Sequence, residues 1–398
     1  MSFADPTVLV AGARTPFGRL LGALKTQTAA QLGAVAIREA ITRAGIDAAA
    51  VDYVIMGQVV QAGAGQNPAR QAAVAAGVPL NVPAITINKV CLSGIEAIAM
   101  ADQLIRVGEF EVVVAGGMES MSNGPHYLPG SREGAKYGDW VLKDSVANDA
   151  LTCAFDQVAM GQSTESFNDK YSLTREQQDE FSVHSHGKSH SAHEGGRLAS
   201  EIVPVEVDLG RGKTATVTAD EGIRPDTSMD TLAKLRPAFS SAGTITAGNA
   251  SQISDGAVAV VVMKKSRAEA LGLTWLAEIG AAGNVAGPDT SLQEQPASAI
   301  NHALAREGLT VADVDLFEIN EAFAAVGLVS ADKLGAPHEK VNVNGGAIAI
   351  GHPVGASGAR LVLHLVYELN RRGGGIGAAA LCGGGGQGSA LLLKVAGA

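Results

Sequence analysis

Apolar positions along the chain follow two alternating rhythms, short unbroken runs and stripes of helical period, before residue 118 and again after residue 251. The runs Thr7–Ala11, Ala84–Ile87 and Glu111–Ala115 have the length of buried strands, and Val51–Val60 is β-rich. Between them, Gln31–Ala44 places Leu32, Val35, Ala36, Ala40 and Ile41 near one helical face, and Gly45 stops it. Gln66–Ala76 reads as an Ala-rich helix with Pro68 in its first turn, where a missing N–H costs nothing. Ile95, Ile98, Ala101 and Leu104–Ile105 mark a third helix, ended by Gly108. The rhythm resumes with strands at Ala257–Met263, Trp275–Ala281 and Val314–Ile319 and a helix near Ala297–Glu307. Helix-linked strands predict an α/β fold of largely parallel sheets flanked by helices.

Residues 118–251 break the pattern. Pro, Ser, Asn and charges increase, and the one clear helix is Thr174–His193, with Thr174 and Gln177 spaced as a capping box. An inserted, exposed lobe is expected there. The flanking parts also repeat each other. Ser93-Gly94, a helix, Gly108, the run Val112–Ala115 and Gly116-Gly117 match Ser357-Gly358, a helix, Gly373, the run Ile376–Leu381 and Gly383–Gly386. Two related halves would place a site where their turns converge.

The 398 residues suggest about two or three domains. Aromatics are 4% against 49 glycines, so packing relies on Ala, Val and close backbone approach. A formal charge of −10 argues against a nucleic-acid or membrane-surface partner, yet leaves room for an anionic small molecule beside local basic groups. Three cysteines without a CxxC pair give neither a disulfide framework nor a zinc site, and fit a reducing compartment. The first residues lack the basic and apolar regions of a signal peptide, so a cytoplasmic location is expected. Gly373–Leu393 is uncharged and long, but its glycine runs read as strand–turn–strand rather than a membrane helix.

Candidate chemistry gathers in Val341–Gly388, where His352 and Cys382 each sit where an apolar strand is expected to run into glycines. Cys91 lies between a strand and a helix, whose N-terminal partial charge favours a thiolate. A lone cysteine is most often an inert buried group, and a lone histidine a satisfied one. Cysteine and histidine in twin units, however, are the minimum for a base-activated thiol nucleophile. Cys153 reads as a small apolar filler. His184, His186, His190 and His193 fall within ten residues and are expected on a solvated helix face, with no metal bound. The glycine strings fit neither a P-loop nor a strand–GxGxxG–helix unit.

Taken together and in order, NKVCLSG, NEAF, GGAIAIGHPVGASG and CGGGGQG resemble the thiolase family, and the likeness runs from AGARTPFG to the last strand. The resemblance implies two duplicated α/β halves forming a layered α/β/α/β/α core with an inserted loop domain. The halves would be residues 1–121 with 252–272, and 273–398, around an insertion at 122–251. It also implies a ping-pong acyltransferase using coenzyme A thioesters as substrates, with no tightly bound cofactor. In that reading Cys91 takes up the acyl group and His352 draws off its proton. Cys382 moves the α-proton of the second acetyl-CoA, while Asn320, through a held water, and His352 polarise its thioester oxygen. The N–H groups of Cys91 and Gly384 form the other oxyanion hole. Leu151, Arg224, Thr231, Ala247 and Ser251 match coenzyme A positions, and Met160, Leu292 and Phe323 the acyl pocket. SMSNGPHYLPGSREGAKYGD resembles the segment that joins dimers into tetramers in biosynthetic acetoacetyl-CoA thiolases, implying a homotetramer and a short acyl group. Ala159-Met160 stands where such members often carry His-Met, and Leu292–Pro296 replaces Met-Gly-x-Gly-Pro. A longer-chain degradative 3-ketoacyl-CoA thiolase and a non-catalytic CoA-binding relative are the alternatives, the second opposed by the presence of all four catalytic residues.

Overall fold

The apolar runs become strands in the computed structural model, which describes residues 5–397: Thr7–Arg14, Val112–Ser120 and Ser254–Lys264 are buried almost end to end, whereas Ala84–Ile87, expected to be buried, is only part-buried. Ten of them share one sheet: β1 Thr7–Arg14, β2 Gly18–Arg19, β3 Tyr53–Gly57, β4 Ala84–Ile87, β5 Val112–Ser120, β6 Ser254–Lys264, β7 Ala277–Ala286, β8 Leu316–Ile319, β9 Gly375–Gly383 and β10 Gln387–Val395. Their order is β8-β9-β10-β7-β1-β6-β5-β3-β4, with β2 beside β6. The longer helices are α1 Ala29–Ala44, α2 Pro68–Ala75, α3 Ser93–Arg106, α4 Met160–Asn168, α5 Arg175–Glu194, α6 Gln295–Glu307, α7 Ala324–Leu334 and α8 Val354–Arg371. The expected capping box is present, Thr174 opening α5 with Gln177.

The sheet is not largely parallel. Only β8–β9, β3–β4 and β3–β5 are parallel pairs, and those joining the middle of the sheet run antiparallel. A parallel pair needs a crossover. The chain supplies helical crossovers toward the two edges, whereas β9 and β10 are joined by a glycine turn and β5 and β6 by the long insertion.

Side-chain alternation along the strands builds the layers. Val113 and Ala115 of β5 join one core with Ile95 and Ile98 of α3, Leu361 and Leu365 of α8, and Leu391 and Leu393 of β10. Val112 and Val114 face the opposite way, into a core with Leu32, Ile37 and Ile41 of α1. A third core lies between β8–β10 and α6–α7. Layers therefore alternate α/β/α/β/α, with α3 and α8 in the middle. These two helices touch backbone to backbone at the repeated Ser-Gly pairs. A Cβ on Gly94 would meet Ala359 N at 2.7 Å, and one on Gly358 would meet Ile95 N at 2.4 Å.

Two expectations fail locally. Ala347–Ile350, expected as strand, is a short helical turn before Gly351, and Val341 makes only an isolated bridge to Phe317. An edge is already provided by β8, so this stretch serves as a connection rather than a further strand. The histidines of α5 are also not all solvated, for His186 is buried and accepts the N–H of Arg224 at 3.1 Å. The insertion covers that face of α5. It is tied to the body by buried charges: Arg14 of β1 pairs with Asp220 at 2.6 Å and Glu201 at 2.7 Å, and Glu201 also meets His364 of α8 at 2.9 Å.

Candidate active site

Cys91 is reached through a turn that few sequences would tolerate. Val90, a β-branched residue, has φ 51°, a left-handed conformation that costs strain without glycine. Side chains on both sides hold it there. Asn88 Oδ1 accepts the Val90 N–H at 2.9 Å, while Ser93 Oγ accepts the Lys89 N–H at 2.9 Å and donates to Val90 O at 2.6 Å. The turn delivers Cys91 to the head of α3, which has no side-chain cap. The turn itself takes the first N–H groups of the helix, Leu92 donating to Lys89 O and Ser93 to Val90 O, each at 3.1 Å.

His352 likewise lies two residues before its helix, α8, although five rather than two before the serine of the repeated Ser-Gly pair. Its N–H meets Gln252 O and Ser254 Oγ, each at 3.1 Å. Nδ1 lies 2.6 Å from Ser357 Oγ, and that hydroxyl donates to Pro353 O at 3.0 Å. A hydroxyl has one proton. Given to Pro353, it leaves Ser357 to accept from Nδ1–H and Nε2 to act as the acceptor. Asn320, directly after β8 and fully buried, points its Nδ2 at Nε2 from 3.5 Å, and its Oδ1 meets no donor among the described residues.

A cavity of about 590 Å³ brings these groups together. Cys91, His352, Cys382 and Gly384 line it together with Met160, Leu292 and Phe323, which share an apolar cluster with Cys382, and with Leu151, Arg224, Ala247 and Ser251 among others. Asn320 stands behind His352 rather than on the surface of the cavity. Thr231 is not brought in. It is exposed, and its hydroxyl closes a capping box with Ser228 on the short helix Met229–Leu232. The sequence reading also passed over Arg19, Leu20 and Phe239, which the lining includes, and Ser357, which meets the imidazole. Phe239 stacks edge-on to Phe323 at 6.2 Å, a contact without any local sequence signal. Ser357 had one, the repeat that pairs it with Ser93.

The electrostatics differ from what helix ends alone suggest. Cys91 is half-buried, and desolvation pushes its thiol up to about 11, although the N–H groups of Cys91 and Gly384 pull the other way. The expected lowering is overturned because burial outweighs two partial charges. Burial also raises the Cys382 thiol, with the neighbouring Cys91 adding to it, and drives His352 down to about 3. The resting site is therefore two thiols and a neutral imidazole whose Nε2 faces the Asn320 amide nitrogen at 3.5 Å. Such a set can transfer a proton from sulfur to nitrogen only when a substrate is attacked at the same time. No group of three or more His, Cys, Asp or Glu among the described residues is placed to hold a metal ion.

A family model described as the thiolase N-terminal domain matches residues 7–266, and one described as the thiolase C-terminal domain matches residues 273–395. A protein of Mycolicibacterium smegmatis named probable acetyl-CoA acetyltransferase is 60% identical over 387 residues, covering 97% of this chain and 100% of its own. Proteins named acetyl-CoA acetyltransferase from Cupriavidus necator and Pseudomonas aeruginosa are each 48% identical over 97% of this chain and 98% of their own.

Proposed function

The chain belongs to the thiolase family, and on that premise we propose that it is an acetyl-CoA C-acetyltransferase, condensing two acetyl-CoA reversibly to acetoacetyl-CoA and CoA. The observation that carries the reading is the one cavity lined by two cysteines, a histidine and Gly384, whose N–H faces the Cys91 sulfur. In the first half, Nε2 of His352 takes the Cys91 thiol proton as the sulfur attacks the thioester carbon. The N–H groups of Cys91 and Gly384 hold the resulting oxyanion, where removing one donor typically costs roughly 10² in rate. Collapse expels CoA, which leaves with the proton from His352, and the acetyl group remains on Cys91.

In the second half, Cys382 first passes its thiol proton to the neutral His352 and then, as thiolate, removes the α-proton of a second acetyl-CoA. The enolate oxygen accepts from the Nε2–H that His352 carries after taking the Cys382 proton and from a water held by Asn320, and its carbon attacks the acetyl carbonyl. Cys91 departs as thiolate and takes the proton held by His352, while Cys382 keeps the α-proton, so the cycle closes with both thiols restored. A thiolate whose pKa is raised by burial is a strong base, as a weakly acidic C–H requires.

Arg224 and the cavity wall of Leu151, Ala247 and Ser251 are assigned to coenzyme A, with Thr231 outside this group. Met160, Leu292, Phe239 and Phe323 crowd the acyl end, which supports a short acyl group over a long-chain degradative role. Coenzyme A thioesters are substrates, and no tightly bound cofactor enters the scheme. The two thiolase halves at 1–121 with 252–272 and at 273–398, around the insertion, are our domain division. A homotetramer is supported by the exposed Tyr137, Val141 and Leu142, carried between the short paired strands His126–Tyr127 and Lys143–Asp144. No helix among the described residues is long and apolar enough to cross a membrane, and the three free thiols favour the cytoplasm. The test is thiolysis of acetoacetyl-CoA against a long-chain 3-ketoacyl-CoA. We expect at least about tenfold preference for the former, and a preference for the long chain would refute the assignment.

A further inference from the structure

Glu119, at the end of β5, is fully buried, and no cation pairs with it among the described residues. Its partners are three backbone N–H groups from two distant segments. Oε2 accepts from Val59 at 2.9 Å and Gly355 at 3.0 Å, and Oε1 accepts from Val60 at 3.1 Å. The first segment is the loop after β3, and the second is the first turn of α8, a helix without a side-chain cap. A carboxylate there satisfies an orphan N–H and faces the positive end of the helix. Both segments it joins also surround the nucleophile. Val59, Val60 and Val354 pack with Cys91 and Leu151 in one apolar cluster, and Gly355 lies three residues beyond His352.

We propose that Glu119 is a positioning residue of the acyl-transfer site: its carboxylate clamps the loop after β3 to the start of α8 and so holds His352 and the apolar walls in register with Cys91. The inference rests on the reading that Cys91 is acetylated with His352 as base. Filling the same space would need no charge, and the charge is costly to bury. Its use lies in the two oxygens, which accept three N–H groups where a carboxamide offers one oxygen and a competing NH₂.

Desolvation raises this carboxyl to about 7, with the charge of Asp255 on β6 adding to it, while ionised Glu119 pushes the Cys91 thiol up. The loop after β3 meets it with the N–H groups of Val59 and Val60, and His352 at the head of α8 stays neutral down to about 3. Above about 7 the carboxylate forms and the clamp is complete. As pH falls through about 7 it is protonated and an N–H loses its acceptor.

The experiment is acetylation of Cys91 by acetyl-CoA, followed by mass against pH in the parent and in Glu119→Gln. The parent should lose rate as pH falls through about 7. Glu119→Gln should be slower at high pH by about 10- to 100-fold, without that acid limb and with KM for acetyl-CoA changed by less than about twofold. A variant that acetylates at the parental rate, or that keeps the parental limb, overturns the proposal. If Glu119→Gln fails to fold, the parent alone decides, and a rate constant flat through that range overturns it. A parent that forms no acetyl-Cys91 at all refutes the underlying reaction, and this inference with it.

Discussion

Helices α3 and α8 are the two halves' versions of one unit, and they present opposite chemistry from nearly the same backbone. Each begins just after a reactive side chain, neither has a side-chain N-cap, and the two cross at equivalent glycines. Their serines, Ser93 and Ser357, mark the difference. Ser93 bonds only to backbone, at Lys89 and Val90, and shapes the turn that aims Cys91. Ser357 bonds a ring nitrogen and fixes the tautomer of His352. A helix N-terminus favours negative charge and disfavours positive. One end therefore suits an anion forming at Cys91, and the other suits an imidazole that stays neutral until a proton is handed to it. One physical device, duplicated, serves a nucleophile and its base.

The comparison breaks most decisively at the sulfurs. Cys91→Ala should form no acetyl-enzyme and lose about 10⁴-fold or more in turnover. Cys382→Ala should still become acetylated, as mass measurement of the protein will reveal, but should not exchange the acetyl α-protons with solvent. Normal exchange in Cys382→Ala would remove it from the second half of the reaction.

The serines sharpen the comparison at a smaller scale. Ser357→Ala leaves Nδ1–H without its acceptor, a loss of about 1–3 kcal/mol, so acetylation should slow about 10- to 100-fold. Ser93→Ala removes bonds that hold the Val90 turn, and its effect should appear in melting temperature as well as rate. Equal rate losses with equal destabilisation in both would mean that Ser357 is only structural.

The smallest effect lies in stability against pH. The folded pKa of His352 is depressed from 6.5 to about 3, so below 6.5 the unfolded chain binds a proton that the folded chain refuses. Its contribution is therefore complete above 6.5 and is lost as pH falls toward about 3. His352→Asn should flatten that part of the melting-temperature profile by a few °C. An unchanged slope would show that His352 is not held neutral by its surroundings.

Much of the site was legible because its chemistry needs local motifs. A cysteine before an uncapped helix, a Gly-His-Pro turn and a cysteine running into glycines all have short-range causes. Elements whose period was unambiguous, such as α1 and α5, appeared within a few residues of their expected ends. What failed were relations between elements. Strand direction depended on which pairs had helical crossovers, and His186 became buried because the insertion folds over it. Thr231, which matched a family position, is outside the cavity lining, and its hydroxyl donates to Ser228 O within the capping box of its own short helix.

By itself, then, the amino-acid order determined the helices and strands, the duplication, and which side chains could act as nucleophile and base, because these follow from periodicity, caps and turn residues within a few positions. Only the tertiary structure decided the protonation states, the tautomer of His352, the antiparallel middle of the sheet and the burial of Glu119 between two segments. Desolvation and hydrogen bonding depend on neighbours brought from far along the chain: Gly384 reaches Cys91, Asn320 reaches His352, and Gly355 reaches Glu119 only after both halves have closed around α3 and α8.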